Sequence, residues 1–244
     1  AVDPASPSSM KVAVLGVGLI GGSIGLAARR RLDAEVVGCG RSPQRLARAV
    51  ELGAIDRGAA SVAEACAGAE IVFCAGPVAA LPAQAREALA AAGPETAVTD
   101  VGSTKGELVA ALGDDERFIG GHPLAGAETA GVENAREDLF EGARWYLTPT
   151  ERSSGLLYDR LQRAIAALGA RPQAIDPHGH DRLMATISHL PHVLANVRTY
   201  ADPSLTLPRY ALRWIEIDNG ALSVLPAGYA EAGEAGRAAQ AELA

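Results

Sequence analysis

The stretch GGHPLAG, residues 120–126, sets an imidazole between glycine and proline, directly after the apolar pair Phe118 and Ile119. An imidazole titrates near pH 6.5, as a rough reference, so His122 is a candidate general base at neutral pH. A second stretch, DVGSTKG (100–106), offers a hydroxyl and an amine, Ser103 and Lys105, at the end of an expected strand. In an open α/β sheet that is where ligands bind, which points both side chains at a reacting end. Ser103 or Thr104 reads equally well as a helix N-cap, and the two roles are compatible. A third stretch, HDRLMATISHLPH (180–192), places Asp181, Ser188 and His192 near one helical stripe, with His189 three residues before His192. Two histidines and a serine on one face suit an anion-binding surface. His178, His180, His189 and His192 lack an HExxH spacing and a neighbouring Cys or Glu pair, and Pro191 disturbs the helix, so no metal is expected.

A glycine-rich loop, GVGLIG (16–21), precedes all three and is followed by Gly22 and Gly25. It closes an apolar strand and opens a helix, the context in which GxGxxG means dinucleotide binding. Gly16 makes the turn, Gly18 admits a pyrophosphate, and Gly21 lets helix and strand approach. The candidate cofactor set is Gly16, Gly18, Leu19, Ile20, Gly21, Arg41 and Ser42, with Gly76 and Pro77 after a later strand. An acid at the end of the second strand would hold the ribose 2′-hydroxyl of NAD. Here VVGCGRS ends in Gly40, Arg41 and Ser42, so NADP is favoured, with NAD as the other possibility. Arg41 could alternatively stack on the adenine.

The elements that must position these residues alternate. Strands are expected at Lys11–Gly16, Glu35–Gly40, Ile71–Ala75, Ala97–Val101, Arg117–Gly120, Arg144–Leu147 and Arg171–Ile175. Helices are expected to start near Leu19, Pro43, Val62, Val78 and Thr104, and over Ser153–Leu168. Continuous apolar strands between alanine-rich helices argue for a doubly wound parallel sheet of the Rossmann type, covered on both faces. After Pro177 no strand alternation is visible. The expected organisation is a leader or tag remnant at 1–9, a dinucleotide-binding domain at 10–176, and a smaller all-helical domain at 177–244.

Composition narrows the partners. The net charge is −7, and beyond Arg29–Arg31 there is no basic run, which argues against nucleic acid and anionic membranes. Residues 13–28 carry no charge, but they are glycine-broken, too short to span a bilayer, and followed rather than preceded by the basic cluster. Cys39, Cys66 and Cys74 are odd in number and show no CxxC, so a reducing, cytoplasmic setting is expected.

GLIGGS, DVGSTKG, GGHPLAGAETAGVENAREDLFEGARWYLTPT and HDRLMATISHLPHVLANV together resemble the prephenate dehydrogenase family, which includes arogenate and cyclohexadienyl dehydrogenases. The resemblance runs from about Lys11 to Val197. It implies tyrosine biosynthesis: oxidation of prephenate or arogenate at its ring hydroxyl carbon, hydride transfer to NAD(P), and loss of carbon dioxide as the ring aromatises. By that likeness His122 is the base, and Ser103 bonds the same hydroxyl region and orients His122. Glu128, Ser188, His189 and His192 belong to the substrate pocket, and the helical domain makes a homodimer. The family's carboxylate-clasping arginine has no aligned counterpart in SLTLPRYALRWIEIDNGAL; Arg209 and Arg213 both stand there.

Two other readings have different signatures. A hydroxyacid-type NADP oxidoreductase would use a lysine late in the chain, and no lysine follows Lys105. A nucleotide sensor without turnover would need neither His122 nor His192.

Overall fold

The computed structural model describes residues 10–127, 129–189, 216–218 and 221–223. The first apolar run forms β1 (Lys11–Leu15) and passes through the glycine turn into α1 (Leu19–Leu32). Then come β2 (Glu35–Cys39), α2 (Pro43–Glu51), β3 (Arg57–Ala59), α3 (Val62–Cys66) and β4 (Ile71–Cys74). A 3-10 turn (Val78–Ala80) leads into α4 (Leu81–Ala91), followed by β5 (Ala97–Asp100), α5 (Gly106–Leu112) and β6 (Phe118–Pro123). β7 (Arg144–Thr148), α6 (Gly155–Ala167), β8 (Arg171–Ala174) and α7 (Pro177–Met184) complete the series, with a π-helical turn at Ala185–His189.

Local chemistry explains the boundaries. Ser42 caps α2 by accepting from the Arg45 amide at 3.3 Å, with Pro43 preset for the first turn. Ser61 caps α3 in the same way, from the Glu64 amide at 3.1 Å. Asp176 accepts from the Gly179 amide at 2.8 Å ahead of Pro177, which starts α7. Arg29, Arg30 and Arg31 form the last turn of α1, where cations suit the helix dipole, and Arg29 pairs with Asp56 at 2.9 Å.

The strands join one eight-stranded sheet in the order β3-β2-β1-β4-β5-β6-β7-β8. β3 through β6 are mutually parallel. The expected all-parallel sheet needs correction at its far side: β6 and β7 are antiparallel, and β8 runs parallel to β7. The connection from β6 to β7 carries only a 3-10 turn (Val132–Asn134) in place of a crossover helix, so the chain returns at the edge it left. Leu124 N–H donating to the Arg144 carbonyl at 2.8 Å closes that return.

Two apolar layers cover the sheet. Ile24, Ala27, Ala28, Leu161 and Ile165 of α1 and α6 pack on one face, with Phe73, Phe140 and Trp145. Leu81, Ala85, Leu89, Leu108 and Leu112 of α4 and α5 cover the other. β1, β4 and β5 are thereby buried along their length, which accounts for the apolar runs VAVL in β1 and IVFC in β4, while β5 ends in the buried polar pair Thr99 and Asp100.

β3 is absent from the sequence expectation. It is a three-residue edge strand whose Arg57 bonds Glu35 at 3.4 Å and Glu64 at 3.2 Å, so it carries charge where an apolar signal would be sought. The chain divides into two compact units, 1–180 and 181–244. In the second, Glu216–Asp218 and Ala221–Ser223 pair as a two-stranded antiparallel ribbon, β9 and β10, where only helix was expected. Asn219-Gly220 lies between them in sequence, a common two-residue hairpin signature. No helix among the described residues is long and apolar enough to cross a membrane.

Candidate active site

The strand order reverses between β1 and β4, and the loops after both lie at the carboxyl edge of the sheet. Gly16 has φ +101°, a region disfavoured for other residues, and a Cβ there would lie 2.7 Å from the Ala75 carbonyl carbon. The β1 turn is thus pressed against the Ala75–Gly76–Pro77 turn of β4. A Cβ on Gly21 would overlap the Gly16 carbonyl oxygen and crowd Val14 at 2.9 Å, so this glycine lets α1 sit down on β1. Above Gly18, by contrast, nothing lies within 4 Å of a built Cβ. Gly18 supplies no side-chain cap, and the first turn of α1, with Leu19 and Ile20, carries no acid. Open space over uncapped helical amides is what a pyrophosphate needs, so these residues fit a dinucleotide.

At the end of β2, Arg41 is exposed and has no ion pair among the described residues, whereas the Ser42 hydroxyl is engaged in capping α2 and bonding Gln44 at 3.1 Å. The Gly16 amide donates to the Cys39 carbonyl at 2.8 Å, tying this turn to the glycine loop. Burial, then Glu87, pushes the Cys39 thiol up, which makes it a poor nucleophile at neutral pH.

β5 delivers the second group of residues. Asp100 is fully buried and accepts from the Gly102 amide at 2.7 Å, the Gly121 amide at 3.0 Å and the Lys105 ammonium. Burial raises the Asp100 carboxyl above its ordinary value, and Lys105 pulls it back. Lys105 is also fully buried, so the sequence expectation that it faces the cofactor is corrected: its charge pairs inside with Asp100 of β5, the same carboxylate that the Gly121 amide of β6 bonds. Ser103 is half-buried in the same turn. It does not cap α5, which starts at Gly106 with Lys105 as its cap residue and no side-chain cap bond.

His122 lies in a strand, not in the loop its glycine and proline neighbours suggest. It sits in β6 and pairs in register with Tyr146 of β7. The glycines before it serve packing: a Cβ on Gly120 would overlap the Thr148 hydroxyl, and one on Gly121 would lie 2.6 Å from the Asp100 carbonyl oxygen and 2.7 Å from Thr99 Oγ1. The His122 ring is half-buried, and its Nδ1 lies 2.9 Å from Nε2 of His180, which is fully buried on α7. Tyr146 meets the His180 ring edge to face, centroids 5.8 Å apart. Sequence reading had no means of joining His122 and His180, 58 positions apart; the helix-start signature Asp176-Pro177 was the signal that His180 is held on a fixed first turn.

The segment after His122 folds over the start of α1. A Cβ on Gly22 would lie 2.9 Å from both Val132 and Ala135, and Ser23, fully buried, accepts from the Arg136 amide at 2.9 Å. GLIGGS (18–23) and VENAR (132–136) are therefore packed together. Ser188 is half-buried on the π-helical turn of the second unit. Glu128, His192, Arg209 and Arg213 lie outside the described residues, as does the His189 side chain. Among the described residues no cluster of three His, Cys, Asp or Glu is arranged to hold a metal.

The family profile described as "Prephenate dehydrogenase, nucleotide-binding domain" matches residues 24–173. The chain is 36% identical over 197 residues to prephenate dehydrogenase of Bacillus subtilis, covering 77% of this chain and 53% of that protein. It thus spans about half the length of the curated relatives it matches. Its fold superimposes on prephenate dehydrogenase from Aquifex aeolicus, solved with hydroxyphenyl propionate and NAD+, with TM-score 0.76 and 32% identity over 83% of this chain and 72% of that one. Synechocystis arogenate dehydrogenase gives TM-score 0.71 and 30% identity over 82% and 71%. The glycine cradle, the buried Asp100–Lys105 clasp and the strand-borne His122 are thus set in a chain that belongs to the prephenate dehydrogenase family.

Proposed function

We propose that this protein oxidatively decarboxylates prephenate or arogenate with a nicotinamide dinucleotide. The observation that carries the reading is His122: a half-buried imidazole fixed by strand register near the end of β6, at the sheet edge that also carries the glycine cradle. Bound dinucleotide supplies the hydride acceptor. His122 takes the ring-hydroxyl proton as the carbinol C–H bond breaks, and Ser103, in the neighbouring turn, bonds the same hydroxyl. The ring carboxylate leaves as carbon dioxide, its bonding pair entering the ring, and the oxygen regains a proton to give the phenol. Aromatisation drives that second stage, so the chain needs to supply only orientation and one base. Ser188, His189, His192 and Glu128 complete the substrate pocket in this reading, with residues 177–244 forming a homodimer.

NADP is the favoured cofactor. Support comes from the missing acid at the end of β2 and from exposed Arg41 beside it; the Ser42 hydroxyl, already bonded, contributes less than its sequence position suggests. The three free thiols fit a reducing, cytoplasmic setting. The test is absorbance of reduced cofactor with purified protein, crossing prephenate and arogenate with NAD and NADP. Turnover in one or more pairs, fastest with NADP, is the expected result. Silence in all four with dinucleotide still bound would overturn the enzymatic reading in favour of a nucleotide sensor.

A further inference from the structure

We infer that His180 is the positioning residue of His122, accepting a hydrogen bond from its Nδ1–H and so leaving Nε2 of His122 as the basic nitrogen. The inference rests on the proposed function for its catalytic meaning, but its geometry stands alone. Two ring nitrogens 2.9 Å apart require one proton between them. If His180 donated, Nδ1 of His122 would use its lone pair on His180, and the remaining proton would sit on Nε2. Such a ring has no lone pair to offer a substrate hydroxyl. If His122 donates, Nε2 carries the lone pair and no proton, and the ring is a base. A hydrogen-bond partner behind a working imidazole that sets its tautomer is a general device.

The surroundings favour this arrangement. His180 is fully buried, while His122 is half exposed. Burying a charge is costly, so the cation formed on proton uptake belongs on His122. Its Nδ1–H to His180 then becomes a charge-assisted bond and strengthens as the proton arrives, which is when stabilisation accelerates a reaction. His180 is also held from several sides. Its backbone amide donates to the Asp176 carbonyl at 2.9 Å, the Asp176 side chain caps the same turn, and Tyr146 packs against its ring. Tyr146 is in turn the register partner of His122, so β7 sets the spacing of both rings. Tyr146 is the titratable group that faces His180 from β7.

The experiment compares His180→Leu and His180→Gln in the full chain and reads the His122 ring by long-range 1H–15N spectroscopy. A glutamine carbonyl can accept from Nδ1–H; leucine fills space and accepts nothing. Leucine is expected to lower kcat by about 10–100-fold with KM and dinucleotide affinity little changed, and glutamine to restore much of that loss. A residue that merely packs would show the opposite order, since a buried apolar side chain would then serve better than an amide. The unmodified protein should show His122 as the Nδ1–H tautomer, shifting toward Nε2–H in His180→Leu. An Nε2–H tautomer in the unmodified protein, or equal activity of the two variants, overturns the inference. The spectrum decides it even if no substrate turns over or a variant fails to fold, so its failure is separable from failure of the proposed function.

Discussion

Removing the ammonium from the buried clasp should be among the most damaging single changes in the sheet. Lys105→Met keeps the length of the stem and deletes the charge. Asp100 would retain the amides of Gly102 and Gly121 at 2.7 and 3.0 Å but lose its counter-ion, with both side chains out of contact with water. Breaking a buried pair from one side costs about 3–5 kcal/mol, because an uncompensated charge remains. For a chain of this size each kcal/mol is worth about 2–4 °C, so the thermal midpoint should fall by roughly 6–20 °C. Deleting Arg163, whose pair with Asp159 is exposed on α6, should cost only a few tenths of a kcal/mol by comparison. The pH dependence has a definite sign. The Asp100 carboxyl is raised by burial in the native protein, and without Lys105 it rises further. A group with a raised folded pKa favours the folded state at low pH and loses that contribution as pH climbs through the folded value. The deficit of Lys105→Met should therefore narrow as pH is lowered toward the ordinary carboxylate range and widen above it. Differential scanning fluorimetry or circular dichroism across pH measures this directly. A midpoint within about 2 °C of the parent at pH 7, or a deficit independent of pH, would refute the claim that this pair is buried and interdependent.

Other outcomes follow from the same geometry. His122→Asn should lower kcat by about 10²-fold or more while dinucleotide affinity, read by fluorescence titration, stays within a few-fold. Arg41→Ala should raise the Kd for NADP much more than that for NAD; equal weakening would mean that Arg41 stacks on the base. Gly18→Ala should leave the thermal midpoint nearly unchanged, since its Cβ meets nothing within 4 Å, and yet weaken dinucleotide binding. Gly25→Ala should do the reverse, lowering stability by about 1–3 kcal/mol in chemical denaturation because its Cβ overlaps the Ala54 carbonyl oxygen.

How far the fold could be read in advance depended on where each strand keeps its information. β1 and β4 are buried on both faces, so their apolar runs announce themselves locally. β3 at one edge is only Arg57, Gly58 and Ala59, too short to show a pattern, and the segment between the antiparallel β6 and β7 packs on α1 through Val132 and Ala135. No local pattern encodes that packing. The use of Gly22 and Ser23, admitting Val132 and Ala135 and bonding the Arg136 amide, appears only in three dimensions.

The candidate site divides along the same line. Gly16, Gly18 and Gly21 were legible because their roles are backbone geometry within one strand–turn–helix unit, and His122 because an imidazole beside two glycines is unusual. Lys105 was misplaced because position in sequence gives the strand end but not the direction of a side chain. Asp100 supplies that direction: three donors converge on one carboxylate, and the cheapest place for the ammonium is inside. The consequence reaches the proposed base. Gly121, the residue before His122, donates one of the three bonds, so the ion pair that looks structural also fixes the backbone from which His122 projects. His180 fixes the same ring from the other side. An imidazole held between a buried carboxylate's hydrogen-bond network and a second imidazole has little freedom left to tilt, and in a proton transfer whose geometry must be met within fractions of an ångström that loss of freedom is the protein's main contribution.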